Sequence, residues 1–216
     1  MKKQILLGVL CLISTLSLAQ ADSAKMSNYF GVQFGSLGIG GQYVHPIHPR
    51  WNLRATGSYF SMSLDQTVEA TNYTESRTYN ATLGGGALIA DFSFLKSTPN
   101  WKLAMGAFYQ INKVGVNSSY LYKRNGETGD AGTLDLTFTT MPVNPYLGLV
   151  WGNFRTKKKV FFTLELGTMF HGTPNVDFTG SGLIEATTLQ KPIIEDNVSN
   201  YNWFPYANFQ INYKLR

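Results

Sequence analysis

The chain predicts an all-β protein, a transmembrane up-and-down antiparallel β-barrel of about eight strands. Three observations carry this: an export signal opens the sequence, a strictly alternating segment closes it, and amphipathic segments between them recur in pairs joined by turns. In the closing stretch Ala207, Phe209, Ile211, Tyr213 and Leu215 are apolar, and Asn208, Gln210, Asn212, Lys214 and Arg216 between them are polar. A period of two marks a strand with one apolar and one polar face. In an exported protein it fits a wall with lipid on one side and water on the other.

At the N-terminus Lys2 and Lys3 give a positive region, Ile5 to Leu18 an apolar core, and Ala19-Gln20-Ala21 a small-residue cleavage site. Residues 1–21 are therefore expected to be a signal peptide and 22–216 one barrel domain. The apolar run is short for a membrane helix, which needs about 20 residues. Cys11, the only cysteine, lies in that discarded segment, which excludes disulfides, zinc–thiolate sites and cysteine nucleophiles from the mature chain. No later stretch approaches the 18 or so continuous apolar residues of a helical span. Without Lys2 and Lys3 the chain carries 16 basic against 13 acidic residues, a net of +3. So weak an excess, spread along the chain, argues against nucleic-acid binding.

The first strand is expected from about Val32 to His45, and Pro46-Ile47-His48-Pro49 as a tight turn, because prolines do not sit in a central ladder. Trp51 to Leu64 follows, with Leu53, Ala55, Gly57 and Tyr59 on one face and Arg54, Thr56 and Ser58 on the other. A polar link near Glu69–Glu75 leads to a strand from about Thr78 to Phe94, with Gly84-Gly85-Gly86 as a bend in the wall. Residues 96–100 form a turn. From Trp101 to Asn112 alternation returns. Lys123 to Gly132, with three glycines and four charges, reads as a loop. The strand from Thr133 to about Phe154 must bend or restart at Pro142 and Pro145. Residues 155–159 form a basic turn, and Val160, Phe162, Leu164 and Leu166 make an apolar face. Thr179 to Asn200 is irregular, with a short helix expected over Leu183–Lys191 that Pro192 ends.

The connections near 46–50, 95–100 and 155–159 are short, and those near 69–75, 121–132 and 179–200 longer. Outer-membrane barrels keep short turns in the periplasm and long loops outside, which assigns the two ends. Only seven strands are visible in this count, whereas bacterial barrels have an even number. The eighth is expected either at Gly35-Ser36, where the apolar phase shifts from Phe30, Val32, Phe34 to Leu37, Ile39, or within Gly182–Ile194. Trp51, Trp101, Trp151, Trp203, Tyr59 and Tyr109 lie near strand ends, as interfacial girdles require.

Gly35-Ser36-Leu37-Gly38-Ile39-Gly40-Gly41, Pro145 to Asn153, and Phe162 to Gly167 with Gly172 to Val176 together resemble small porin-like outer-membrane β-barrel proteins of Gram-negative bacteria. The resemblance implies a location in the cell outer membrane, contact with its lipid, and assembly by the barrel-assembly machinery. It brings no substrate and no functional residue. Where many such barrels end in an aromatic, this chain ends Tyr213-Lys214-Leu215-Arg216.

No catalytic, cofactor-binding or metal-binding residue is expected. His45 and His48 flank a turn proline. Thr163, Glu165, His171 and Thr173 share the inner face, but such a spacing sets residues about 6–7 Å apart per step, too far for a triad along one strand. There is no nucleophile elbow either. Arg54, Asp91, Lys102, Lys113 and Glu165 are expected to point inward and to plug a lumen that eight strands leave just wide enough for side chains. The leading expectation is a monomeric structural or surface-interaction barrel acting through its outer loops on a ligand the sequence does not name. A narrow channel for small polar or amphipathic solutes is the alternative, and a lipid-modifying enzyme a third.

Overall fold

In the computed structural model, which describes residues 27–95, 100–124, 127–154 and 158–215, one antiparallel sheet closes on itself. The signal-peptide region lies outside the described residues, as do most of the 96–100 and 155–159 turns. Eleven strand segments build the sheet: β1 (Tyr29–Gly35), β2 (Gly38–His48), β3 (Trp51–Glu69), β4 (Tyr73–Phe92), β5 (Trp101–Gln110), β6 (Lys113–Arg124), β7 (Glu127–Thr139), β8 (Val143–Gly152), β9 (Val160–Phe170), β10 (Asn175–Gly180) and β11 (Trp203–Lys214). The ring runs β1-β2-β3-β4-β5-β8-β9-β11 and closes by pairing β11 with β1. That is eight barrel strands, as the sequence predicts.

The phase shift at Gly35-Ser36 does conceal the missing strand. β1 and β2 form a hairpin, with Gly35 opposite Gly38 and Ser36-Leu37 as its turn. Gly38 has φ +94°, a conformation that L side chains resist, and a Cβ there would run into the Tyr59 carbonyl oxygen. The other candidate, Gly182–Ile194, is helical. Gly182–Gln190 is a 3₁₀ segment, and α1 (Lys191–Val198) follows. Pro192 does not end this helix but stands in its first turn, where the missing N–H costs no bond. At the other rim β2 continues through Pro46 to His48 with a register shift, so the turn itself is Pro49–Arg50.

Three barrel strands break and resume. β5 continues as β6 across Ile111-Asn112, β8 is preceded by β7 across residues 140–142, and β9 continues as β10 across residues 171–174. β3 and β4 instead run unbroken, paired from Trp51–Phe92 to Glu69–Thr74. Above the barrel the order is β3-β4-β6-β7-β10, an open five-stranded crown. β4 changes partner from β5 to β6 at Gly84-Gly85. Gly85 has φ +150°, and a Cβ on it would run into the Tyr109 carbonyl oxygen, so the bend needs glycine. Lys123–Gly132, expected as a loop, is mostly strand. β6 and β7 stay paired as far as Arg124–Glu127, with a register shift between Tyr120 and Leu121.

The apolar face changes sides at these breaks. In the barrel Leu53, Leu88, Met105, Leu149, Leu164 and Phe209 face outward and are exposed. In the crown the outer face reads Ser61, Ser63, Asp65, Thr67 on β3 and Thr133, Asp135, Thr137, Thr139 on β7. Its inner face carries Met62, Leu64, Tyr79, Val116, Leu136, Phe138 and Phe178, which the register sets on one side. An apolar exterior suits lipid and a polar exterior suits water, so the membrane ends where the phase inverts. Aromatic residues mark both borders. Trp101 and Trp151 pair with ring centroids 6.5 Å apart at one, and Trp203 packs on Phe170 at 5.1 Å at the other.

Candidate functional site

The lumen is filled at mid-height by hydrogen-bonded polar side chains. Alternation points Gln42, Arg54, Asp91, Thr163, Glu165, Gln210 and Asn212 inward from β2, β3, β4, β9 and β11, and all are buried. Arg54 is the hub. Its Nη1 and Nη2 donate to the two Glu165 carboxylate oxygens at 2.5 Å each, and Nη2 also donates to Asp91 Oδ1 at 3.0 Å. This forked geometry matches guanidinium to carboxylate. Glu165 further accepts from Tyr146 Oη at 2.8 Å and Gln210 Nε2 at 2.6 Å. Gln42 Nε2 donates to Gln210 Oε1 at 2.9 Å and to Asn212 Oδ1 at 2.7 Å, tying β2 to β11 inside the barrel. The side chains of Arg54, Asp91 and Glu165 are only 2%, 3% and 0% exposed.

Above this layer Phe108, Tyr146 and Tyr206 pack with ring centroids 5.2–5.3 Å apart. Leu37, from the β1–β2 turn, and Met169 seal the same cluster. Below, Lys102 Nζ sits 3.7 Å from the centre of the Phe154 ring, and Tyr29 packs on Phe161 at 5.1 Å. Two buried cations, Arg54 and Lys102, thus face two buried anions, Asp91 and Glu165. Buried charge must be balanced in this way to be tolerated.

Four of the five residues expected inside are there. Lys113 is not. Plain alternation from the inward Lys102 sets it on the outer face, which in the crown is polar, opposite Thr82. Asn208 and Gln210, which lipid-facing logic alone would treat as tolerant, are buried in the network. Asn208 Nδ2 donates to Gln33 Oε1 and to Tyr206 Oη, both at 2.9 Å.

The inner-face set Glu165, His171 and Thr173 does not converge. Glu165 is engaged by Arg54, Tyr146 and Gln210. The buried His171 Nδ1 has no hydrogen-bond partner, and Thr173 Oγ1 lies 3.2 Å from Asn202 Oδ1. Burial holds the His171 pKa below the ordinary imidazole value. No cluster of His, Cys, Asp and Glu suited to a metal ion occurs among the described residues.

The crown holds a second ion pair that sequence reasoning passes over. Arg77 grips Glu75 through Nε and Nη2, the latter at 2.6 Å, on the inner face near the sheet's outer end. Hydrogen bonding from Arg77 holds the Glu75 carboxyl below the usual carboxylate range. The Glu-x-Arg spacing on one strand face is its only sequence signal.

With closed wall, filled lumen and crown in view, the likeness to known structures is direct. The fold is similar to that of the CarO outer-membrane barrels. The crystal structure of CarO from Acinetobacter baumannii superposes with a TM-score of 0.60 at 17% identity, covering 90% of this chain and 100% of that one. CarO2 from the same organism gives 0.60 at 16% identity, covering 88% and 99%. No protein-family model matches the chain, and no curated protein matches it. At such identities the likeness establishes architecture only.

Proposed function

We propose that this protein is a closed, non-enzymatic outer-membrane barrel that works through its extracellular crown rather than through its lumen. The observation that carries the reading is the Arg54–Glu165–Asp91 network, which fills the route through the barrel with side chains at most 3% exposed. A conduit would have to break both 2.5 Å hydrogen bonds between Arg54 and Glu165 and open the aromatic layer above them. The crown, in contrast, projects well beyond the apolar belt and presents both a polar outer face and an incompletely covered inner one. Loops and extensions on a rigid scaffold are where recognition concentrates. The helical segment 182–198 belongs to this extracellular portion, which agrees with long connections lying outside. The test is electrical. Purified protein in planar bilayers is expected to show no steady conductance. Reproducible, well-defined ion steps from the unaltered protein would overturn the reading in favour of a channel.

A further inference from the structure

The crown has five strands above an eight-strand barrel, so its wall is incomplete. The gap stands above β11, β1 and β2. On that side the last β2–β3 pair is Ile39–Tyr59, yet β3 continues to Glu69. Residues 60–69 therefore form an edge, unpaired on that side, about 33 Å long at 3.3 Å per residue. The helical segment does not cover this edge. It packs against β7 and β10, where Gly180 admits it: a Cβ there would lie 3.0 Å from Thr188 Cγ2 and 3.3 Å from Leu134. The inner apolar face is thus covered at its β7–β10 end and open at its β3–β4 end.

The open part has a definite polarity. Phe60, Met62 and Leu64 line it, 40%, 43% and 54% exposed, opposite Leu83, Ala81 and Tyr79 of β4. The next rung outward pairs Gln66 with Arg77. Arg77 is 39% exposed, whereas its partner Glu75 is 4% exposed, so the guanidinium is the accessible member of the pair. From Phe60 to Gln66 is about 20 Å. One leaflet of hydrocarbon is about 15 Å deep. The apolar end begins beside Tyr59 and the β1–β2 turn, at the membrane border.

The geometry points to a groove for a single-chain anionic amphiphile of the fatty-acid class, its chain along Phe60, Met62 and Leu64 and its carboxylate at Gln66 and Arg77. Three features select this occupant. The lining is apolar at one end and carries the accessible guanidinium of an ion pair at the other, the length fits an extended acyl chain, and the apolar end adjoins the lipid that would supply it. The inference rests on the crown being the working part of the protein.

The test uses the full mature chain in lipid nanodiscs, titrated with 11-(dansylamino)undecanoate, with protein-free nanodiscs subtracted. Saturable dansyl fluorescence is expected. Met62→Glu and Leu64→Glu, on the inner face, should weaken it at least tenfold, while Ser63→Glu, between them on the outer face, should leave it within twofold. Leu64→Asn serves where Glu prevents folding, and heat-dependent electrophoretic mobility confirms the barrel. The paired change Glu75→Gln with Arg77→Gln, which removes both charges at once, should weaken binding several-fold. Absence of saturable signal, or equal loss from Ser63→Glu, would overturn the inference. Conductance recorded on the same preparation separates this failure from that of the closed-barrel reading.

Discussion

Replacing Arg54 by Gln would leave Glu165 and Asp91 in the lumen with Lys102 as the one buried cation among the described residues to balance them. Among the described residues the lumen buries two cations and two anions, and the variant would bury one cation and two anions. Lys102 interacts electrostatically with Asp91, so Glu165, which is fully buried, becomes the uncompensated charge. Removing one partner of a buried pair costs about 3–5 kcal/mol, a large share of the roughly 5–15 kcal/mol that holds a typical domain together. The double variant Arg54→Met with Glu165→Gln restores the balance, one cation facing one anion. It is expected to recover most of the loss and lie within about 2 kcal/mol of the unaltered protein. Urea unfolding in detergent micelles or vesicles, followed by tryptophan fluorescence, measures these, and with the single variants Arg54→Met and Glu165→Gln a double-mutant cycle isolates the coupling. A loss under about 1 kcal/mol for Arg54→Gln, or a double variant as unstable as the summed singles, would refute the claim that this pair organises the lumen.

Other outcomes are expected on the same reasoning. Phe209→Arg, on the lipid face, should cost about 2–4 kcal/mol if the site lies near mid-bilayer, read as the shift in urea midpoint in bilayers. Gly85→Val should fail to fold or refold slowly, seen as loss of the heat-modifiable band, since its Cβ would run into the Tyr109 carbonyl oxygen. The crown should loosen in acid. Arg77 lowers the Glu75 pKa, so the pair's stabilisation is full above the ordinary carboxylate range and is lost as pH falls through the lowered value. Amide exchange of Ser118 and Tyr120 should rise there, and Glu75→Gln should flatten that pH dependence. An epitope at the exposed Asn197 should be labelled on intact cells. Labelling only after permeabilisation would invert the topology.

The barrel is legible in the sequence where one face meets lipid and the other meets the lumen. β11 shows this best. Its apolar and polar sets separate without error because every residue from Tyr206 to Tyr213 alternates between the two environments. The β1–β2 hairpin is legible as a change of phase at Gly35-Ser36. The crown is not, for a physical reason. A period-two pattern reports alternation but does not say which face is wet. At Ile111-Asn112 and again at residues 140–142 the apolar set moves from the outside to the inside, and each half read alone resembles an ordinary strand or a polar loop. The run Ser61, Ser63, Asp65, Thr67 is the available signal, since a lipid-facing set would not be made of hydroxyls and carboxylates. Arg54, Asp91 and Glu165 can be assigned inward individually. Their meeting cannot be read, because 111 residues separate Arg54 from Glu165 and only the closed register brings them together. Helical character is legible near 183–191, yet Pro192 reads as a stop, although proline is equally at home in the first turn of a helix.

The inversion of faces along β3, which crosses from membrane to crown without a break, underlies both the extracellular crown and the groove. Nitroxide labels placed singly from Leu53 to Thr67 in nanodiscs, with relaxation by oxygen and by a nickel chelate, measure it directly. Labels at 53, 55 and 59 should be relaxed by oxygen. Labels at 61, 63, 65 and 67, on the same geometric face, should be relaxed by nickel, with the crossover next to Tyr59. Oxygen accessibility continuing through 61–67 would place the crown in lipid and contradict both the extracellular-crown reading and the groove derived from it.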